Sequence, residues 1–151
     1  MKQTRKEELS IYYWLTEIFP SFVTVQEEFP LDEELKLPTV AITNANINPT
    51  PYELGGTDLN NRVWRIDIFA KNSGQRADYS DLILENLEEP VTVYDFDDSA
   101  DFPPASGNQI GSLIVDSRKY TPIPVYKDLV KKLYWRGAVE FETHFDGSSA
   151  T

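Results

Sequence analysis

The segment RVWRIDIFAK, residues 62–71, carries the clearest secondary-structure pattern in the sequence. Its apolar phase consists of Trp64, Ile66, Ile68 and Ala70. The opposite phase carries polar residues such as Arg65 and Asp67, and this period of two is typical of a β-strand. The segment therefore predicts a strand that presents one apolar face to a core.

An amphipathic helix is predicted on each side of this strand in the sequence. Downstream, Gln75–Glu89 places apolar side chains on one helical face and carboxylates on the other, and Pro90 ends the pattern. Upstream, Thr4–Phe19 repeats apolar residues at a period of about 3.6 and stops at Pro20. Both helices need a surface to cover their apolar faces, so we expect them to pack on a sheet.

Further strands complete the predicted fold. They are expected at Phe22–Phe29, Leu37–Ile47, Val91–Phe96, Gly111–Arg118 and Leu133–Phe145. Residues 48–61 are rich in Pro, Gly and Asn and predict a long loop, which is either a hairpin tip or a flexible arm. The result is an α+β fold: a mainly antiparallel sheet with an N-terminal helix and a second amphipathic helix packed on one face. We expect one domain over residues 1–146 and a flexible C-terminal tail over residues 147–151.

The composition excludes several classes of protein. There are 25 acidic and 14 basic side chains and the net charge is −11, whereas binding to nucleic-acid phosphates requires clustered Lys and Arg. The lack of cysteine excludes a disulfide scaffold, and the single histidine, His144, excludes a multi-histidine metal centre. No apolar run reaches the roughly 20 residues of a membrane span, and the charged start MKQTRKEEL is unlike a signal peptide. We expect a soluble protein with no membrane partner.

No residue set predicts an enzyme. The sequence has no nucleophile elbow, P-loop or dinucleotide-binding motif, so we expect no catalytic residues and no cofactor. The best metal candidates are the acidic residues Asp95, Asp97, Asp98 and Asp101, whose spacing suits calcium or magnesium. This cluster lacks the glycine and the distal glutamate of the calcium-loop motif, so a solvated charged surface is the favoured interpretation.

Aromatic and basic residues predict an interface. Tyr12, Tyr13 and Trp14 are consecutive and cover about 300° of a helix, so part of this group should face something other than its own core. The loop that contains Tyr52 and Leu54 is a second expected contact. A third prediction is that arginines pair with acids of a neighbouring copy, namely Arg62, Arg65, Arg76, Arg118 and Arg136.

The succession of elements resembles the tail-terminator, or tail-completion, proteins of long-tailed bacteriophages. The resemblance rests on the helix to Phe19, the strand VWRIDIFAK with its helix GQRADYSDLILENLEE, and the strand LYWRGAVEFETHF (residues 133–145). It implies a six-membered ring that ends tube growth at the head-proximal end of the tail. It also implies a tail tube protein and a head-connector or neck protein as partners, DNA that passes through the lumen without specific binding, and a virion location after assembly in the host cytoplasm. No residue motif allows functional residues to be transferred.

Other functions stay open at this point. The protein is alternatively another neck or head-completion component, because these share size and charge. It is alternatively a monomeric module that binds a peptide or small ligand through its aromatic and acidic loops. A metal-dependent hydrolase using the Asp95–Asp101 cluster is the least favoured alternative.

Overall fold

The computed structural model describes residues 3–21, 23–26, 36–51, 58–96, 109–123 and 135–147. In chain order the elements are α1 (Gln3–Ile18), β1 (Thr24–Gln26), β2 (Thr39–Pro51), β3 (Asp58–Ala70), α2 (Ser73–Asn86), β4 (Val91–Tyr94), β5 (Gln109–Pro122) and β6 (Trp135–Asp146). The predicted α+β class, with an N-terminal helix and a second helix, is confirmed.

The strands form one six-stranded sheet in the order β1-β2-β3-β6-β5-β4. β1 pairs with β2 in parallel, and all other neighbours are antiparallel. β2 and β3 are adjacent strands, and α2 then carries the chain across to β4 at the far edge. β6 fills the centre, where it pairs with β3 on one side and β5 on the other.

Both helices contribute to one apolar core with a single face of the sheet. Trp64 is fully buried in this core, and its indole N–H donates to the Thr143 hydroxyl across 3.0 Å. The strand and helix residues that share the core include Ile11, Leu15, Val40, Ile42, Trp64, Ile66, Ile68, Ile83, Leu113, Val139 and Phe141. The apolar phase of residues 62–71 therefore faces the core, as its alternation predicts.

α2 begins and packs for local reasons. Asn72 has an extended backbone, and its side-chain oxygen accepts a hydrogen bond from the Gln75 N–H across 2.8 Å. This bond satisfies one of the free donors of the first turn of α2. Tyr79 and Ile83 are buried against the sheet, and the Tyr79 ring meets Phe19 edge to face at 5.1 Å between centroids. Ala77, which the periodicity places on the buried face, is exposed.

The face of β3 opposite the helices is not uniformly solvent-facing. Asp67 and Phe69 are both buried. One Asp67 oxygen accepts from Arg65 at 3.1 Å and from Arg136 at 2.9 Å, and the Arg136 guanidinium lies 5.5 Å from the Phe69 ring centroid. A buried carboxylate with two guanidinium donors avoids the large cost of an unpaired charge. The period-two pattern predicts to which face of the sheet each side chain of β3 points, but it does not predict that Asp67 and Phe69 are buried on the face opposite the helices.

The expected loop at residues 48–61 is shorter in the structure. β2 and β3 pair as far as Pro51 with Asp58, so residues 48–51 and 58–61 belong to an antiparallel hairpin. This agrees with the hairpin alternative, and the connecting residues, which include Tyr52 and Leu54, lie outside the described part of the chain. Residues 148–151 of the predicted tail also lie outside it.

Candidate interaction surfaces

The second half of β5 is an open sheet edge within the described residues. β4 pairs only with Gln109–Leu113, although β5 continues to Pro122. The side chains of the unpaired part from Asp116 to Pro122 are exposed, except for the half-buried Tyr120. Unpaired strand edges present free N–H and C=O groups to other chains.

The hydrogen-bond pattern shows which backbone groups point out of this edge. The Ile123 N–H donates to the Arg136 carbonyl across 3.0 Å, so that position faces β6. Because directions alternate along an antiparallel strand, the N–H groups of Arg118 and Tyr120 face away from β6. Pro122 occupies the next outward position and lacks an N–H, as is usual for proline in an edge strand.

The opposite side of the sheet has a second open edge. β1 pairs only with Thr39–Ala41, whereas β2 extends to Pro51. Pro49 and Pro51 lack N–H groups, and the part of β2 that lies beyond the β1 pairing and before both prolines is 42–48. Among the residues described, no strand pairs with this side of that part.

The edge at β4 is covered instead of open. The Ser10 hydroxyl of α1 accepts from the Tyr94 backbone N–H across 3.0 Å and donates to the Lys6 carbonyl across 2.7 Å. A helix that satisfies an edge donor blocks addition of a further strand at that point. The same sheet side is therefore sealed at β4 and open along the rest of β5.

A groove of about 240 Å³ lies beside the sealed edge. Its described lining residues are Ser10, Tyr13, Trp14, Glu17, Asn86, Glu89, Pro90, Thr92 and Tyr94. The rings of Tyr13 and Tyr94 stand at 86° to each other with centroids 5.9 Å apart. The pKa of the Tyr13 phenol is raised by its hydrogen bond to Glu17, with further contributions from burial and from the Glu17 charge.

The structure brings two of the three predicted helix aromatics together at this groove. Tyr13 and Trp14 line it, while Tyr12 is half-buried and is not among its lining residues. Trp14 also packs partly against the main core. Part of the aromatic group is thus accessible, but its role as a contact between copies stays a prediction.

The arginines expected at an interface all have partners within the chain. Arg62 is 7% exposed and pairs with Glu7 at 2.7 Å, so it is buried and not placed for a neighbour. Arg65 and Arg136 share Asp67, and Arg118 lies 3.6 Å from Glu88. Arg76 stacks over Trp135, with its guanidinium carbon 5.3 Å from the ring centroid. The sequence offered one signal for Arg62, because it is in phase with Trp64 and so faces the core.

The Glu7–Arg62 pair joins α1 to β3 at the position that pairs with Ile47 of β2. Glu7 has no exposed side-chain surface, and its Oε1 atom and Arg62 Nε have no hydrogen-bond partner among the described residues. Burial raises the pKa of Glu7, and the Arg62 guanidinium opposes this effect without reversing it. The two side chains therefore form an ion pair in which each keeps one buried polar atom without a hydrogen bond among the described residues.

Only one of the four acidic metal candidates lies in the described part of the chain. Asp95 pairs with Lys6 at 3.1 Å, whereas Asp97, Asp98 and Asp101 lie outside the described residues. His144 contacts Asp116 through Nδ1 at 2.8 Å. Over the described ranges, no group of three or more metal-ligating side chains comes together.

Another shallow groove lies on the sheet face opposite the helices. It measures about 310 Å³ and is lined by Val63, Ser117, Arg118, Lys119, Glu140, Phe141 and Glu142. Its walls mix acidic and basic side chains next to the open half of β5. It therefore belongs to the same exposed region as that edge.

Comparisons with known proteins find no match: no family model matches the chain, and no curated protein does. Within the described residues, no helix is long and apolar enough to cross a membrane. The interaction surfaces must therefore be interpreted from their own geometry.

Proposed function

We propose that this chain is a structural assembly protein that forms a ring at the head-proximal end of a phage tail, ends tube growth and joins the tail to the head connector. The observation that carries the proposal is the pair of open edges on opposite sides of one sheet. One is the half of β5 beyond Leu113, and the other is β2 over residues 42–48.

Two different edges on opposite sides favour head-to-tail association. When the β5 edge of one copy meets the β2 edge of the next, the contact is heterologous, because each copy uses two different surfaces. Repetition of such a contact closes into a ring when the rotation between copies fits. Backbone hydrogen bonds between edges supply the contact, as in strand addition.

The charge of the chain fits a channel that does not bind DNA. Each copy carries −11, so a six-membered ring would carry a charge of roughly −66. An acidic lumen repels phosphates and lets DNA pass without specific binding. Repulsion between copies weakens as salt rises, because the screening length falls to about 10 Å near 0.1 M ionic strength. Assembly should therefore be favoured by salt.

The ring requires neighbours along the tail axis. We propose a tail tube protein on one side and a head-connector or neck protein on the other, with assembly in the host cytoplasm and a final location in the virion. No catalytic role and no cofactor form part of this proposal.

The proposal is tested by the mass of the purified protein and of one edge variant. Size-exclusion chromatography with light scattering should give an assembly larger than a dimer, and electron microscopy should show rings. Arg118→Pro removes one outward N–H from β5 and should reduce association, whereas Arg118→Ala loses the same Glu88 contact but keeps the N–H and should assemble.

Two results would contradict the proposal. A strict monomer at all salt and protein concentrations, also with the tube protein present, would exclude the ring. Equal assembly of the proline and alanine variants would show that the β5 edge is not the contact.

A second function is supported by the groove between α1 and β4. A cavity lined by aromatic and acidic side chains is suited to a monomeric peptide- or ligand-binding module. A monomer that binds a peptide in this groove would favour that function, and another neck or head-completion role would retain the ring but change its neighbours.

A further inference from the structure

The groove between α1 and β4 has the walls of a cation-binding site. Tyr13 and Tyr94 both line the groove and contact each other edge to face, with ring planes at 86° and centroids 5.9 Å apart. Trp14 lines the same groove. Aromatic faces attract cations placed within about 6 Å of the ring centroid.

The remaining walls add acidic groups to these rings. Glu17 on α1 and Glu89 after α2 are exposed and line the groove, and none of its described lining residues is basic. The raised pKa of the Tyr13 phenol reflects the carboxylate of Glu17 beside it. Aromatic faces and carboxylates in one cavity both favour a cation over a neutral or anionic group.

The size of the groove limits what it can hold. Its volume of about 240 Å³ lies below the roughly 300–1,000 Å³ of typical small-molecule sites. A planar guanidinium both stacks on aromatic rings and pairs with carboxylates, which an ammonium group does less well. The chain already uses this combination where Arg136 pairs with Asp67 and its guanidinium lies 5.5 Å from the Phe69 ring centroid.

Another copy of this chain has no spare guanidinium to supply. Each of its six arginines, which are all in the described part, already contacts an acid or a ring: Arg5 with Glu8, Arg62 with Glu7, Arg65 and Arg136 with Asp67, Arg118 with Glu88, and Arg76 with Trp135. The chain is also strongly acidic, with a charge of −11. Charge complementarity therefore favours a basic segment of a different protein.

We propose that the groove lined by Tyr13, Trp14, Tyr94, Glu17 and Glu89 binds an arginine side chain from a basic segment of a partner protein. The site is separate from both open sheet edges and does not depend on ring formation. It gives the protein a third contact surface, with a chemistry different from that of strand pairing.

The test uses the full chain and a fluorescently labelled peptide of glycine, serine and arginine, followed by fluorescence anisotropy. We expect saturable binding that weakens as salt rises. A peptide with citrulline in place of arginine has the same shape without the charge, and its binding should be weaker by roughly tenfold. A lysine peptide should bind more weakly than the arginine peptide.

Variants locate the site. Glu17→Gln, which changes an exposed position and should leave the fold intact, is expected to weaken arginine binding by roughly fivefold. Tyr94→Leu should weaken it similarly, and Tyr94→Phe should retain binding because the ring face remains. Glu85→Gln changes an equally exposed glutamate of α2 that does not line the groove, so it should bind as the unchanged chain does.

The proposal is overturned by equal binding of the arginine and citrulline peptides, by the absence of saturable binding, or by equal effects of Glu17→Gln and Glu85→Gln. Light scattering on the same samples keeps this test separate from the ring, because arginine binding by a monomer would support the groove without depending on assembly. A ring without arginine binding would contradict only the groove.

Discussion

The two halves of β5 differ in both strand pairing and burial. The first half, Gln109–Leu113, pairs with β4 and ends in the buried Leu113. The second half pairs only with β6 among the described strands, and most of its side chains are exposed. α1 closes the first region through Ser10, and no described element does so for the second. One strand thus contributes to the core at one end and offers a contact edge at the other.

The largest expected difference between the halves is in stability. Leu113→Ala removes a fully buried side chain and should lower the free energy of unfolding by about 2–5 kcal/mol. Thr121→Ala, in the exposed half, should stay within about 0.5 kcal/mol of the unchanged chain. Urea unfolding measures both values. A similar loss for the two variants would mean that the second half is also part of a packed region.

The seal at β4 can be removed without changing the apolar core. Ser10→Ala deletes the acceptor of the Tyr94 N–H and should cost about 1–3 kcal/mol if that donor stays unpaired. Ser117→Ala, on the exposed half of β5, provides the matched control and should have little effect. Chemical denaturation of both variants is the measurement. Equal stabilities would show that α1 does not protect this edge energetically.

The smallest expected effect is a pH dependence from α1, because burial of Glu7 and the opposing charge of Arg62 partly cancel. The folded-state pKa of Glu7 is raised above its ordinary value of 4.5, so between the two values the folded chain holds a proton that the unfolded chain has released. The contribution of Glu7 to the free energy of unfolding is therefore greatest below pH 4.5 and is lost as pH rises through the folded-state pKa of Glu7.

Glu7→Gln tests this sign. The free energy of unfolding of the unchanged chain should fall relative to that of Glu7→Gln as pH rises above 4.5. Glu85→Gln, on the exposed surface of α2, controls for removal of a carboxylate. The opposite trend, with the unchanged chain gaining on Glu7→Gln, would show that the Arg62 pair outweighs burial.

Local patterns in the sequence were enough for the main elements. The alternation around Trp64 and Ile66 predicts β3 and its core face, and Asn72 and Pro90 bracket α2 closely. These features depend on residues near each other in the chain. The fold class follows from them because helices and strands with one apolar face must cover one another.

The surfaces were harder to predict because they depend on distant partners. The phase of Arg62 with Trp64 indicates that it faces the core, but its partner Glu7 is 55 residues away and no local pattern predicts the pair. The groove needs Tyr94 beside Tyr13, and the open edge of β5 results from how far β4 extends along it. Pro122 is a local signal that this part of β5 is an edge. The strand predicted from the sequence nevertheless ends at Arg118, whereas β5 continues to Pro122.

The central position of β6 also has a consequence for synthesis. Trp135–Asp146 joins β3 to β5, and it follows every other described element in the chain. During translation the β2–β3 pair and the β4–β5 pair therefore stay unconnected in the sheet until this segment leaves the ribosome. Such late, long-range pairing slows folding and leaves incomplete sheets prone to aggregation.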